Sequence, residues 1–172
     1  SAGTGGEQAR PPALLPEAPR RRRAGDGPDP ATDVCPLVSP AARERVAGEI
    51  ERAAAEGAEI VLDGRRDAGP GGALLGPTIV DRAAAGSRVL IEEIFGPLLA
   101  LLRVPDLETA LARLNASPYG NASSIFTSSG GAAREYRYGV ETGMVGVNVG
   151  VAAPVAWFPF SGWKASLDGG LA

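Results

Sequence analysis

The adjacent carboxylates Glu92 and Glu93 are the part of this sequence best suited to binding chemistry. Isoleucines flank the pair, and Phe95, Gly96 and Pro97 follow it, so the chain is expected to turn there against apolar neighbours. A carboxylate held in such a turn can accept hydrogen bonds from ribose hydroxyls, and a phenyl ring beside it can pack on a flat nucleotide group. The same residues could also form a plain solvated turn, and composition alone leaves both interpretations open.

Most catalytic constellations are excluded by residues that the sequence lacks. It contains no histidine, so it holds no Ser-His or Cys-His couple and no histidine metal site. Its single cysteine, Cys35, cannot form an internal disulfide, and no neighbour that would activate a thiolate is evident. The glycine-rich stretch 69–72 is expected to be a loop, since no Walker or GxGxxG pattern is present. We therefore predict no catalytic residue and no metal site in this chain.

Charge and composition narrow the class of partner. The 172 residues are 44% hydrophobic, which is enough to bury a core, and the net charge is -3. The sequence therefore lacks the broad basic surface that would favour nucleic acid or an anionic membrane. The basic run Arg20–Arg23 is expected to be a solvated linker. Because no apolar run is long enough to span a bilayer, we expect a cytoplasmic protein that binds small molecules or other proteins.

The spacing of apolar residues predicts where the folded part of the chain begins. Residues 1–33 have no helical or alternating apolar period and are expected to be largely disordered. Ser39 and Pro40 then provide an N-cap and a first helical residue for a helix that closes at Gly57. Strands are predicted over residues 59–62 and 76–80.

The second half of the chain continues the alternation of helices and strands. The apolar run 98–104 is typical of a central strand covered on both faces. Asp106 is placed to cap a helix that follows it, and a second short helix is predicted over 132–138. Strands are predicted over 122–127 and 144–149. This order predicts an α/β fold with a mainly parallel sheet and flanking helices.

Two motifs in this framework resemble those of a known family. They are EEIFGP at residues 92–97 and PVAWFPFSGWK at residues 154–164. Together they resemble the C-terminal, catalytic half of an NAD-dependent aldehyde dehydrogenase, closest to the acylating methylmalonate-semialdehyde dehydrogenases. Weaker matches occur in the family's order at residues 29–46, 76–81 and 117–127, and TGMVGVNVG at residues 142–150 discriminates together with the second motif that follows it. On this resemblance, residues 34–172 are expected to form part of the catalytic domain.

The resemblance implies roles for five residues. Glu93 would bind the nicotinamide ribose, and Phe95 would lie near the nicotinamide of NAD. Asn148 would approach the substrate pocket, and Phe158 or Phe160 would help to wall it, although ordinary core packing is an alternative for these two aromatics. In the family reaction a cysteine attacks the aldehyde, hydride passes to NAD, and coenzyme A takes the acyl group.

The resemblance also implies parts that this sequence does not show. The family's dinucleotide-binding domain, nucleophilic cysteine and last strand have no counterpart here, and Cys35 falls downstream of the nucleophile's place. The proline and arginine content of residues 1–28 suggests a scrambled N-terminus. We therefore expect a fragment that is inactive alone. The alternatives are a non-catalytic module that binds other dehydrogenase subunits, and a half that a separate polypeptide complements.

Overall fold

The computed structural model describes residues 17–67, 69, 71–150, 152–153, 157 and 161–166. The chain divides into two compact units, Ser1–Arg103 and Val104–Ala172, which are described separately. The sequence predicts one folded segment over 34–172, and the division falls inside it. The first unit holds the EEIFGP loop, whereas the second holds Asn148.

The longest helix of the first unit, α2 (Pro40–Ala55), begins where the sequence predicts. The Ser39 side chain accepts a hydrogen bond from the amide of Ala42 at 3.1 Å, which satisfies one of the free donors at the helix start. Gly57 follows the helix with a φ of 95°, a left-handed conformation that glycine adopts without steric cost. The predicted start and end of this helix are confirmed. Its buried face carries Val46, Ile50 and Ala53.

A three-stranded sheet packs against α2. It contains β1 (Glu59–Leu62), β2 (Thr78–Asp81) and β3 (Leu98–Ala100), with β2 in the middle. β2 is antiparallel to β1 and parallel to β3. Every residue of β2 is buried, as expected for the central strand of the sheet. A 3-10 helix (Gly64–Arg66) follows β1, and the short helix α3 (Arg88–Ile91) precedes the EEIFGP loop.

The prediction of a central strand over 98–104 is wrong for this sheet. β3 stops at Ala100 and lies at the edge, and Leu99 is 45% exposed. An unbroken apolar run does not distinguish a central strand from an edge strand, because strand order depends on which distant segments pair.

The carboxylate of Asp81, at the end of β2, accepts hydrogen bonds from the guanidinium of Arg103 at 2.5 and 3.1 Å. This hydrogen bonding lowers the pKa of Asp81, whose side chain is only 8% exposed.

Residues 17–33, where little order is expected from the sequence, carry local structure. A single helical turn, α1, spans Glu17–Arg20. Asp33 accepts hydrogen bonds from the Arg22 side chain at 2.8 Å and from the Arg23 amide at 3.0 Å, and these bonds lower its pKa. Two residues of the arginine run, Arg22 and Arg23, are therefore hydrogen-bonded to Asp33. Residues 1–16 lie outside the described part of the structure.

The second unit contains two helices and four strands among its described residues. Its elements are α4 (Leu107–Asn115), β4 (Tyr119–Gly120), β5 (Ala122–Ile125), α5 (Gly130–Gly139), β6 (Met144–Val147) and β7 (Trp163–Lys164). The predicted cap is confirmed, because the Asp106 side chain accepts a hydrogen bond from the amide of Thr109 at 2.7 Å. The predicted strand 144–149 ends earlier, at Val147.

Strand pairing in the second unit is local except at one place. β5 and β6 are parallel, and they are joined through α5. β4 pairs with the distant β7 in antiparallel fashion. The amine of Lys164 also donates to the carbonyls of Asn115 and Ser117, at 2.6 and 3.2 Å, and forms an ion pair with Glu141 at 2.9 Å. The predicted α/β class is confirmed, with parallel pairs at β2–β3 and β5–β6 and antiparallel pairs elsewhere.

Candidate functional site

The EEIFGP loop is held on the core by two residues that alternate with its exposed ones. Ile94 is half-buried and packs against both apolar clusters of the first unit, one around Val80 and Val89 and one around Val46. Gly96 lies so close to Val46 that a β-carbon there would stand 2.9 Å from a Val46 methyl group. The loop is therefore fixed at 94 and 96, and Glu93 and Phe95 beside these positions are exposed.

The two glutamates of the loop have different environments. Glu92 accepts a hydrogen bond from the Arg88 guanidinium at 2.6 Å, and this bond raises the pKa of Arg88. Arg88 also lies 3.6 Å from the buried carboxylate of Glu49. Glu93 is exposed, and it has no hydrogen-bond or ion-pair partner among the residues that the structure describes. Of the pair, Glu93 is the carboxylate available to a ligand.

Phe95 is presented to solvent in an uncommon backbone conformation. Its φ is 50°, which is the left-handed region, and its side chain is 77% exposed. A bulky residue costs about 1–2 kcal/mol in that region relative to ordinary conformations. This conformation costs free energy, and it leaves an exposed ring beside an unpartnered carboxylate. Strained backbone conformations of this kind are often found at binding sites.

Asn148 belongs to the second unit, and its side chain is engaged with the main chain. Its Oδ1 accepts a hydrogen bond from the amide of Thr127 at 2.9 Å, and its Nδ2 donates to the carbonyl of Thr127 at 3.1 Å. Its own amide donates to the carbonyl of Ile125 at 2.8 Å, with a φ of 57°. Asn148 thus extends the pairing of β5 and β6 beyond their ends. Phe158 and Phe160 lie outside the described residues.

The structure brings together Glu93 and Phe95 on one loop, and it adds residues that the sequence analysis missed. Arg45 of α2 donates from Nη2 to the main-chain carbonyl of Ile94 at 2.6 Å. Nothing in the sequence marks this arginine, because its target is a main-chain oxygen of a segment far along the chain. The single thiol, Cys35, is exposed.

No helix among the described residues is long and apolar enough to cross a membrane. No group of three or more histidine, cysteine, aspartate or glutamate side chains there is arranged to hold a metal ion.

Comparison with known proteins identifies the family. The sequence model of the aldehyde dehydrogenase family matches residues 13–171, which begins earlier than the motifs indicate. A malonate-semialdehyde dehydrogenase of Geobacillus kaustophilus is 44% identical over 149 residues, which are 86% of this chain and 30% of the relative. The chain therefore spans about a third or less of the length of such relatives.

Solved structures agree with this assignment. The methylmalonate-semialdehyde dehydrogenase of Oceanimonas doudoroffii superposes with a TM-score of 0.86 and 36% identity, covering 90% of this chain and 32% of that one. A Sinorhizobium meliloti protein described as a methylmalonate-semialdehyde dehydrogenase, complexed with NAD, gives a TM-score of 0.83 at 34% identity, covering 87% of this chain and 31% of that one. The resemblance carried by the EEIFGP and FPFSGWK motifs is thus confirmed, and this chain belongs to the aldehyde dehydrogenase family.

Proposed function

We propose that this chain forms part of the catalytic domain of an NAD-dependent, coenzyme A-acylating dehydrogenase for malonate or methylmalonate semialdehyde. The observation that carries the proposal is the loop 92–97, which presents the unpartnered carboxylate of Glu93 beside the exposed ring of Phe95. The named activities of the similar proteins support the substrate class. The NAD complex of one of them supports the cofactor.

The exposed loop residues fit the two parts of a nicotinamide nucleoside. The carboxylate of Glu93 can accept hydrogen bonds from both ribose hydroxyls, since no protein donor occupies it in the described residues. The ring of Phe95 offers a flat apolar surface for the nicotinamide. NAD, when bound, accepts the hydride that leaves the substrate. The contribution of these residues is to orient the nucleoside before the transfer.

A nucleophile for the aldehyde is not provided by the residues described above. The only thiol is Cys35, which is exposed, and the sequence contains no histidine that could act as its base. We therefore propose that this chain alone does not turn over the aldehyde. Binding of the nicotinamide nucleoside without a nucleophile lowers no chemical barrier.

Association with further dehydrogenase polypeptide is the second part of the proposal. Several large apolar side chains of the second unit are exposed, including Phe126 at 67%, Tyr119 at 54% and Trp163 at 52%. Exposed apolar surface of this kind favours burial against another protein. The partner that we propose is the remainder of an aldehyde dehydrogenase catalytic subunit, supplied by a separate polypeptide. A non-catalytic role, in which the chain binds intact dehydrogenase subunits, is favoured by the same surface.

The test is to combine this chain with the part of the Geobacillus kaustophilus relative that lies outside the matched region. NADH formation is then measured with malonate and methylmalonate semialdehyde, with and without coenzyme A. The proposal predicts activity from the pair and none from either piece. A stable complex without activity favours the non-catalytic role. Failure to form any complex contradicts both.

The loop itself can be tested with an adjacent matched pair of variants. In the active pair, Glu93→Gln should weaken NADH binding about 10-fold or more, as expected for loss of hydrogen bonds to a charged group. Glu92→Gln should change binding by less than about twofold, because Glu92 is bonded to Arg88 instead. Equal effects of the two substitutions would contradict the assignment of Glu93.

A further inference from the structure

The main-chain carbonyl of Ile94 lies between the two residues that face the proposed nucleoside. This carbonyl belongs to the peptide unit that joins Ile94 to Phe95, so its direction is coupled to the φ of Phe95. Arg45 donates from Nη2 to this carbonyl at 2.6 Å. In the described part of the chain, no other side chain bonds to the main chain between Glu93 and Phe95.

Arg45 is itself held by a rigid support. It lies in the first half of α2, next to Val46, which is fully buried. Val46 also contacts Gly96 on the far side of the same loop. One turn of α2 therefore touches the loop on both sides of Phe95, through a hydrogen bond at 94 and through close packing at 96.

The conformation of Phe95 makes such a support necessary. With a φ of 50° this residue gains stability if the peptide between Ile94 and Phe95 rotates to an ordinary conformation. That rotation would turn the Ile94 carbonyl away from Arg45 and redirect the Phe95 ring. The hydrogen bond to Arg45 opposes it.

We propose that Arg45 is a positioning residue for the nicotinamide nucleoside, which acts by fixing the Ile94 carbonyl and through it the backbone conformation of Phe95. The inference rests on the proposed function of the loop. Arg45 would act through the loop without contacting the nucleoside. Its guanidinium reaches a single carbonyl as a directed donor, a task that a lysine performs less well because its ammonium is a mobile, strongly hydrated point charge.

The first test measures the loop in the intact chain, without NAD. A protease that cuts after glutamate can cleave between Glu93 and Ile94 only when the loop opens, so the cleavage rate follows the open population. Arg45→Met should raise this rate about fivefold, the effect of losing one ordinary hydrogen bond. Arg45→Lys should give a cleavage rate between those of the parent and Arg45→Met. Arg134→Met, on an exposed residue of the second unit, should leave the cleavage rate unchanged. Cleavage after Glu141 serves as the internal reference.

The second test asks whether Arg45 acts through Phe95. In the active pair, Arg45→Met should weaken NADH binding about fivefold when Phe95 is present and less than about twofold in the Phe95→Ala background. A purely structural role would produce the same factor in both backgrounds and would overturn the proposal. An unchanged cleavage rate at Glu93 would overturn it as well.

The two tests separate this inference from the function on which it rests. If the combined polypeptides bind no NADH, the proposed function fails and the positioning role fails with it. A faster cleavage at Glu93 in Arg45→Met would then still establish that Arg45 holds the loop. If NADH binds and responds to Glu93→Gln but not to Arg45→Met, only the inference is overturned.

Discussion

Replacing Gly96 with alanine should destabilise the first unit although it adds only one methyl group. The new β-carbon would lie 2.9 and 3.0 Å from the two methyl carbons of Val46. Val46 is fully buried in the core, so it has no free space into which to withdraw. Overpacking of this kind costs about 1–3 kcal/mol. The entropy lost from the unfolded chain on replacing glycine returns about 0.4–1 kcal/mol. The expected net loss of stability is about 1–2 kcal/mol.

The assay must report on the first unit alone. All tryptophans and tyrosines of the chain lie in the second unit, so intrinsic fluorescence would follow the wrong unfolding. Hydrogen exchange of peptides from α2, measured by mass spectrometry over a urea series, reports on the first unit directly. The matched control is Gly86→Ala, because a β-carbon there would meet nothing within 4 Å. That variant should be neutral or slightly more stable.

A double-mutant cycle identifies the contact that causes the loss. Val46→Ala removes both clashing methyl groups and is itself destabilising because it leaves a cavity in the core. Combined with Gly96→Ala, it should cost clearly less than the sum of the two single substitutions, since the new β-carbon then occupies part of that cavity. Additive losses, or a Gly96→Ala variant as stable as Gly86→Ala, would refute the reasoning about close packing at the loop.

Three other results are expected. Phe95→Gly should be about 1 kcal/mol more stable than Phe95→Ala, the reverse of the usual order, because the left-handed φ of 50° suits glycine; urea unfolding of the first unit measures this. Asn148→Ala should destabilise the second unit by about 1–2 kcal/mol through loss of two hydrogen bonds to Thr127, measured by tryptophan fluorescence. Hydrogen bonds from Arg103 lower the pKa of Asp81. Their stabilising contribution is present above the unfolded pKa of about 3.9 and is lost as the pH falls through the lower folded pKa. Arg103→Met should therefore flatten the acid dependence of stability, measured by urea titrations between about pH 5 and pH 2.

Each of these results has a contrary outcome. Equal stability of the Phe95 glycine and alanine variants would mean that residue 95 leaves its left-handed conformation when the ring is removed. An Asn148→Ala variant as stable as the parent would mean that solvent replaces the bonds to Thr127 at no cost. An unchanged acid dependence in Arg103→Met would show that Asp81 does not owe its low pKa to Arg103.

Features set by neighbouring residues were predictable from the sequence. The start of α2 at Ser39 and Pro40 and the cap at Asp106 depend on hydrogen bonds to amides three residues away, so the local sequence contains all that decides them. The EEIFGP motif likewise marked the loop, and the exposure of Glu93 fits the role that the resemblance implies.

Features set by distant partners were not predictable. The run 98–104 has the apolar pattern of a central strand, but a strand at the edge of a sheet can have the same pattern. Only the pairing with β2 reveals its edge position. The bond from Arg45 to Ile94 joins residues 49 positions apart, and the partner is a main-chain atom that every residue possesses. The side-chain bonds of Asn148 to Thr127 are missed for the same reason.

The contacts of Lys164 affect the order in which the second unit can form during synthesis. Its amine reaches a carbonyl 49 residues earlier in the chain, and the amide of Gly120 reaches a side chain 46 residues later. A ribosome extends a chain from the N-terminus at about 5–20 residues per second, so these contacts wait for seconds after α4 has emerged. During that interval the end of α4 and the edge of β4 have neither partner. The pairing of β4 with β7 can therefore form only after this lysine has left the exit tunnel, although β5 and β6 can pair before it.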